Sequence, residues 1–401
     1  MRRSIRAIVF NSDDSYRAIL RSLLLGAEGV HIAAEADDPA MLGTAAHQFP
    51  ADLLVVHLDP APEQTIGLVR QILAQRPELP VFAISECSDG QLILTAMRAG
   101  IREYLTKPVE RAQLDAALER IAQQVASKAE PGRIISVMSS IGGGGATTIA
   151  VNLAVELAML SEANNGRVAL VDLDYRFGQV ATLLDLQPQY SIADLCDTPE
   201  NIDPALVKKV MCEHPSGVHV LARPQHFGQA ELLTAAHCTS VLSMLQDLYR
   251  YVVIDGPTRY DHGAKAVLDL ADLQLMVMHL LVPSVRTVHR ILDELNSNGY
   301  NLERVKLICN RAGTESGYLE QEQVEATLDR EMFFVLPDDW KTVSAAVNMG
   351  VPLAKAAPKS RIRQDFVALA SKIHERPAEG ENHRERPGTK KGSSLLSKLF
   401  S

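Results

Sequence analysis

RIISVMSSIGGGGATTIAVNLAVELAML spans Arg133 to Leu160. Its opening RIISVMSS is a near-continuous apolar run, the pattern of a strand buried on both faces. Four glycines, Gly142, Gly143, Gly144 and Gly145, follow, and a helical pattern starts near Thr147. Strand, glycine-rich turn and helix in this order make a seat for phosphate. Glycine permits the backbone conformations and close approach that let successive N–H groups point inward. The positive end of the following helix adds to the attraction. Thr147 stands where a hydroxyl would meet Mg²⁺, between Ala146 and Thr148.

Downstream, RVALVDLD, GVHVLAR, YRYVVIDG, DLQLMVMHL, RVKLICNR and MFFVLP repeat the apolar run, with helical patterns between most of them. The alternation predicts an α/β domain with a doubly wound parallel sheet over 133–374. Upstream, IRAIVF, DLLVVHL, LPVFAIS and REYLT alternate with helical patterns in the same way. They predict a second doubly wound parallel-sheet domain over 1–125. Between the two, ASKAEPG is small, charged and broken by Pro-Gly, and reads as a linker over 126–132. Residues 375–401 turn polar, with Pro and Gly, and read as a flexible tail.

Composition agrees with this. The chain has 401 residues, 46% hydrophobic and 22% charged. That is ordinary for a globular protein and excludes a collagen-like repeat, a coiled-coil rod or wholesale disorder. With 40 basic and 49 acidic residues the net charge is −9, which gives no general attraction to nucleic acid. The five cysteines show no C-x-x-C and no zinc spacing, pointing to a reducing compartment. No apolar run reaches the ~18 residues of a membrane span. The N-terminal MRRSIRAIVF reads as a first strand, because NSDDS follows at once.

The first domain resembles the receiver domain of response regulators over about 120 residues. The resemblance implies an acid pair for Mg²⁺ after the first strand, an acceptor aspartate ending the third, a hydroxyl after the fourth and a lysine after the fifth. Asp13 and Asp14 match the acid pair, Ser85 the hydroxyl and Lys107, before Pro108, the lysine. The acceptor position falls on His57, with Asp59 two residues on. An imidazole offers a metal no charge at neutral pH. The domain is therefore expected to be a pseudo-receiver, an interaction module rather than a phosphoacceptor.

The second domain resembles the MinD/ParA family over roughly 240 residues, through motifs in the right order. IGGGGATT lies on the family's deviant Walker A, K-G-G-x-G-K-T-T, with Ile141 and Ala146 in the two lysine positions. VALVDLDYRFG resembles the second motif, which implies Asp172 and Asp174 as catalytic candidates positioning Mg²⁺ and water. YRYVVIDGPT resembles Walker B, with Asp255 at its end. LICNR resembles the strand end whose asparagine reads adenine, here Asn310, followed by Arg311. VLPDDWKTVSAAVNMGVPL resembles the next loop and helix, with Pro337, Asp338 and Asp339 lining the base. Thr147, Asp172 and Asp255 are the implied Mg²⁺ ligands, and ATP the implied nucleotide.

A receiver-like domain ahead of a MinD/ParA-type domain resembles the TadZ/CpaE family of Flp (tight adherence) pilus assembly proteins. The resemblance implies a positioning factor for the pilus secretion machine, working as a homodimer in the bacterial cytoplasm, at the inner membrane and the cell pole. The implied partners are the Flp pilus secretion ATPase and inner-membrane components. The tail offers Leu395, Leu396, Leu399 and Phe400 on one face of a short helix, with Lys390, Lys391 and Lys398 elsewhere, a pattern suited to peripheral membrane contact. Two alternatives stand beside this: an active MinD/ParA-like ATPase partitioning cargo on membrane or DNA, and a receiver-controlled regulator. The absent lysines argue against the first and His57 against the second, so nucleotide binding is expected to outlast hydrolysis.

Overall fold

The computed structural model describes residues 4–27, 29–125, 131–161, 167–196, 204–256, 262–313 and 319–375. The first domain alternates strictly: β1 (Ile5–Phe10), α1 (Asp14–Leu25), β2 (Val30–Ala36), α2 (Pro39–Gln48), β3 (Leu53–His57), α3 (Pro62–Gln75), β4 (Val81–Ser85), α4 (Gly90–Arg98), β5 (Glu103–Thr106) and α5 (Arg111–Val125). Its five strands are parallel, in the order β2-β1-β3-β4-β5. Sequence reading found four of them and passed over β2, VHIAAEA. Its alanines carry little β propensity, and its burial comes partly from the other domain.

The second domain begins with β6 (Arg133–Ser139), α6 (Ala146–Ser161), β7 (Val168–Asp172), α7 (Val180–Leu183), α8 (Ile192–Cys196) and α9 (Pro204–Val210). It continues with β8 (Cys212–Glu213), β9 (Val218–Leu221), α10 (Phe227–Glu231), α11 (Ala235–Leu248), β10 (Tyr251–Asp255), α12 (His262–Leu270), β11 (Leu273–Met278) and α13 (Val282–Ser297). It closes with β12 (Val305–Ala312), α14 (Gln321–Leu328), β13 (Met332–Pro337), α15 (Trp340–Asn348), α16 (Leu353–Ala356) and α17 (Arg361–His374). The sheet order is β13-β12-β11-β6-β10-β7-β9-β8. Every pairing is parallel except β8 against β9, so the expected all-parallel sheet is a mixed one. β8 has two residues, too few to leave a period in sequence, and it turns back through the tight turn at Gly217.

The glycine-rich loop sits at the centre of the second sheet because β6 does. α6 is apolar on nearly every face, and Ile149 to Ala158 are buried without a break, polar Asn152 and Glu156 among them. A helix of that kind must be covered on every side. The sheet covers one side, and α17 the other through Phe366, Leu369 and Ile373. Ser140 Oγ and Ser284 Oγ share a 2.8 Å hydrogen bond that ties the strand end to α13. Among the described residues no helix is long and apolar enough to cross a membrane.

The two domains meet along β2 and α1. Arg21 on α1 is buried, donates to Asp269 Oδ1 at 2.6 Å and pairs with Glu35. Its guanidinium lies 5.0 Å from the Tyr300 ring centre. Lys265 reaches Glu35 at 3.2 Å. His31 lies 3.0 Å from Asp272, whose other oxygen accepts from Ile134 N. Arg304 donates to Val30 O at 2.7 Å, and Arg6 spans Asp52 and Asp247. A cavity of about 480 Å³ opens beside this network, lined by β2 and α2 on one side and α11 and α12 on the other.

Candidate functional site

The register of the second sheet puts three chemically loaded strand ends side by side. Asp255, ending β10, stands opposite Val137 of β6 on one side and Asp172, ending β7, on the other. Both aspartates are buried, at 2% and 1% exposure. Burial pushes the Asp172 carboxyl up to about 7. Burial, then the neighbouring Asp172, pushes Asp255 well above the ordinary range. Thr147, in the first turn of α6, acts against that shift. Asp255 Oδ2 is buried with no protein partner among the described residues. An orphaned carboxylate oxygen in such a place costs free energy unless a cation or donor meets it. Asp172 is held differently: its oxygens accept from Asp174 N and Val180 N, each at 3.2 Å.

The loop above has the conformation its glycines allow. Gly143 and Gly145 take φ of 73° and 95°, the left-handed region in which a side chain is strained. Gly144 N turns back to Ile141 O, while the N–H groups of Gly142, Gly143 and Gly145 carry no partner among the described residues. Asn310 Nδ2 donates to Gly144 O at 2.8 Å and His279 Nε2 does so at 3.2 Å. These two side chains brace the loop from beneath. Asn310 thus touches the loop through its amide nitrogen.

The remaining sequence candidates fall around this centre. Asp174 accepts from Phe177 N at 3.0 Å and belongs to its own turn. Thr148 lines a small crevice between α6 and Val351 to Leu353. Arg311, at φ 53°, lies 5.2 Å from the Trp340 ring centre. Pro337 ends β13, Asp338 N bonds Ala312 O, and Asp339 caps α15 through Thr342 N. Two arginines of the matched motifs have partners of their own: Arg176 pairs with Glu231 at 3.5 Å, and the Arg311 guanidinium lies over Trp340. Sequence reading missed Arg223, His279, Gly178 and Trp340. Arg223 donates Nε to Gly178 O and Nη1 to Pro224 O, and its charge reaches Asp172. Of the four, only Trp340 had a visible signal, as the single tryptophan, next to the Pro337 loop.

In the first domain the strand ends bring together His57, Asp59, Ser85 and Lys107. The acid pair is not drawn in to the same degree. Asp13 caps α1 by accepting from Ser15 N, and Asp14, with its side chain 87% exposed, pairs with Arg17. His57 is fully buried, stacks on Tyr16 with ring centres 4.7 Å apart, and donates Nδ1–H to Asn11 Oδ1 at 2.7 Å. Burial, then the charge of Lys107, holds its imidazole below the usual value. The tail residues Leu395, Leu396, Leu399 and Phe400, and most of the linker, lie outside the described residues.

Residues 8–119 match the family described as response regulator receiver domain, and residues 132–303 match the family described as AAA domain. The chain is 27% identical over 248 residues to the septum site-determining protein MinD of Thermotoga maritima, covering 60% of this chain and 88% of that one. It is 30% identical over 227 residues to the MinD of a Synechocystis species, covering 55% of this chain and 81% of that one. The solved MinD of Pyrococcus horikoshii, complexed with Mg-ADP, superposes with a TM-score of 0.53 at 20% identity, over 60% of this chain and 96% of that one. The chain belongs to the MinD/ParA family, and carries a response-regulator receiver domain ahead of its MinD/ParA-type domain.

Proposed function

We propose that this protein is a nucleotide-binding positioning factor for the Flp (Tad) pilus secretion machine, in which hydrolysis is weak or absent. One observation carries the nucleotide part. Asp172 and Asp255 lie side by side at buried strand ends near Thr147 in the first turn of α6, with Asp255 Oδ2 unpartnered among the described residues and the loop N–H groups of Gly142, Gly143 and Gly145 unpaired. That donor set fits a hard divalent cation such as Mg²⁺, which prefers oxygen ligands. The loop fits phosphate oxygens. When bound, Mg²⁺ neutralises phosphate charge. Thr147 supplies a hydroxyl to the ion, Asp172 and Asp255 supply negative charge, and the N–H groups of Gly142, Gly143 and Gly145 orient the phosphates.

The loss of both lysines bears on rate more than on affinity. A cation that follows charge onto the transferring phosphoryl group acts in the transition state, where one arginine finger is worth ~10³–10⁵ in rate. Ile141 and Ala146 offer none, and the nearby arginines are engaged. Binding draws on backbone donors that remain; acceleration draws on charge that does not. ATP bound without turnover suits a scaffold. Support for the pilus role is the domain order, receiver then MinD/ParA type, together with the resemblance of QPQYSIADLCDTPENIDPALVKKV to the TadZ/CpaE segment between the second motif and the next strand. In this reading the chain works as a homodimer in the bacterial cytoplasm, contacts the membrane peripherally through Leu395 to Phe400 and is placed at the pole.

The test is direct. Wild type should bind ATP with Mg²⁺ in the micromolar-to-millimolar range, roughly −8 to −4 kcal/mol, with hydrolysis near background. Ala146→Lys should tighten binding, and Thr147→Ala should remove its Mg²⁺ dependence. A wild-type turnover near ~1 s⁻¹ that Asp172→Ala abolishes would instead establish a working ATPase. The pilus assignment is tested separately, by whether deleting the protein abolishes Flp pili and whether the pilus secretion ATPase co-purifies with it.

A further inference from the structure

We propose that the cleft between the two domains is a binding site for a small amphiphile, with an apolar body and one anionic head, of the fatty-acid class. The cleft holds about 480 Å³. That is within the range of small-molecule sites, which favour domain junctions. Interiors and well-formed interfaces are otherwise filled to crystal-like density. Here both walls carry alanine where larger side chains would close the gap. Ala33, Ala34 and Ala45 come from the first domain, and Ala235, Ala236 and Ala266 from the second. Both domains therefore contribute to the space, and no single missing contact makes it.

The two ends of the cleft differ. Glu35 stands late in β2, beside the first turn of α2, where Met41 also lines the cleft. Phe49, just past the end of α2, lines it at the opposite end. Charge gathers at the first end. Lys265 Nζ reaches Glu35 at 3.2 Å, and Arg21 pairs with both Glu35 and Asp269. A smaller cavity of about 130 Å³ continues from there, sharing Glu35, Met41 and Lys265 and adding Asn11 and Arg17. Lys265 is the cation able to change partner. Its side chain is 54% exposed, on a flexible four-carbon stem. Glu35 keeps buried Arg21 when Lys265 leaves it, so an arriving anion gains an ammonium and strands no acid. The apolar body then runs over the alanines toward Phe49. A cleft walled by two domains takes a single molecule, not the face of a bilayer. Its ligand touches β2, α2, α11 and α12 together, so it binds and stabilises the docked arrangement of the domains.

The full-length protein is titrated with anilinonaphthalene sulfonate, a fluorescent amphiphile with one anionic group. Bound dye is then displaced with decanoate or with uncharged decanol. Wild type should bind the dye saturably at one site and release it to either competitor, while excess Mg-ATP leaves the signal unchanged. Ala236→Trp puts an indole into the cleft from the exposed first turn of α11. It should weaken dye and decanoate at least tenfold. Lys265→Met should weaken decanoate at least threefold and leave decanol unchanged or tighter. Four results would each overturn the proposal: no saturable binding, displacement by Mg-ATP, undiminished binding in Ala236→Trp, or unchanged decanoate affinity in Lys265→Met. If Ala236→Trp does not fold, Thr44→Trp fills the cleft from the exposed side of α2 and carries the same expectation.

Discussion

Single atoms set the behaviour of both strand-end sites. Gly178 shows this in the second domain, because a Cβ there would overlap the Asp172 carboxylate. Gly178→Ala must push that carboxylate aside or shift the turn that carries it. We expect a loss of about 1–3 kcal/mol of stability from overpacking, and a larger loss of Mg²⁺-dependent nucleotide binding, measured by denaturation and by titration calorimetry. His57 makes the corresponding case in the receiver. An unfolded histidine titrates near ~6.5, whereas burial and Lys107 keep the folded one lower. Between those two values the unfolded chain binds the extra proton, so folding stability falls as pH drops through that window. The pH dependence of the melting temperature should be flatter below about 6.5 in His57→Gln than in wild type. Identical slopes would mean that the imidazole ionises freely in the fold.

Elements come next, and α6 is the one on which the nucleotide site depends. Its first turn presents Thr147 and its body is buried against sheet and α17. Asn152 extends the tie by donating to Thr148 O and accepting from Leu353 N, and Glu156 by pairing with Arg363 at 3.0 Å. Phe366 of α17 is 2% exposed against this helix. Phe366→Ala should cost about 3–5 kcal/mol, read as a drop in denaturation midpoint. α6 also explains why the sequence was so readable here. A helix apolar on nearly every face, directly after a glycine run, makes a pattern that no surface helix imitates. β2 and β8 left none: one is alanine-rich and covered partly by another domain, the other is two residues long.

At the scale of the molecule the question is what joins the two domains. Arg21 is the central tie, paired with Asp269 and, alongside Lys265, with Glu35. Burial and the two carboxylates act on Arg21 in opposite directions, and the net effect keeps it charged. Arg21→Ala leaves buried Asp269 without its partner, while Glu35 keeps Lys265, and breaking such a buried pair costs about 3–5 kcal/mol. We expect a lower unfolding midpoint and faster proteolysis at the junction, whereas Arg21→Met with Asp269→Leu should recover much of the loss. Removing residues 1–125 would uncover Asp269, Asp272 and the α11–α12 face together. The shortened protein should therefore be less soluble and less stable than the full chain, by sedimentation and melting.

Sequence alone determined the α/β class, the order of the two domains and the candidate residues at strand ends. Strand period, glycine runs and terminal aspartates are local patterns, so Gly142 to Gly145, Thr147, Asp172 and Asp255 could be named without coordinates. Tertiary structure alone decided their partners. Asn310 braces Gly144 from 166 positions away, and Arg21 meets Asp269 across 248. Asp59 meets Ser85 and Lys107 only because β4 and β5 bring them to it. The reason is physical. Period and propensity act within a few residues, whereas hydrogen bonds, ion pairs and buried charge act through space, and only the folded chain sets those distances.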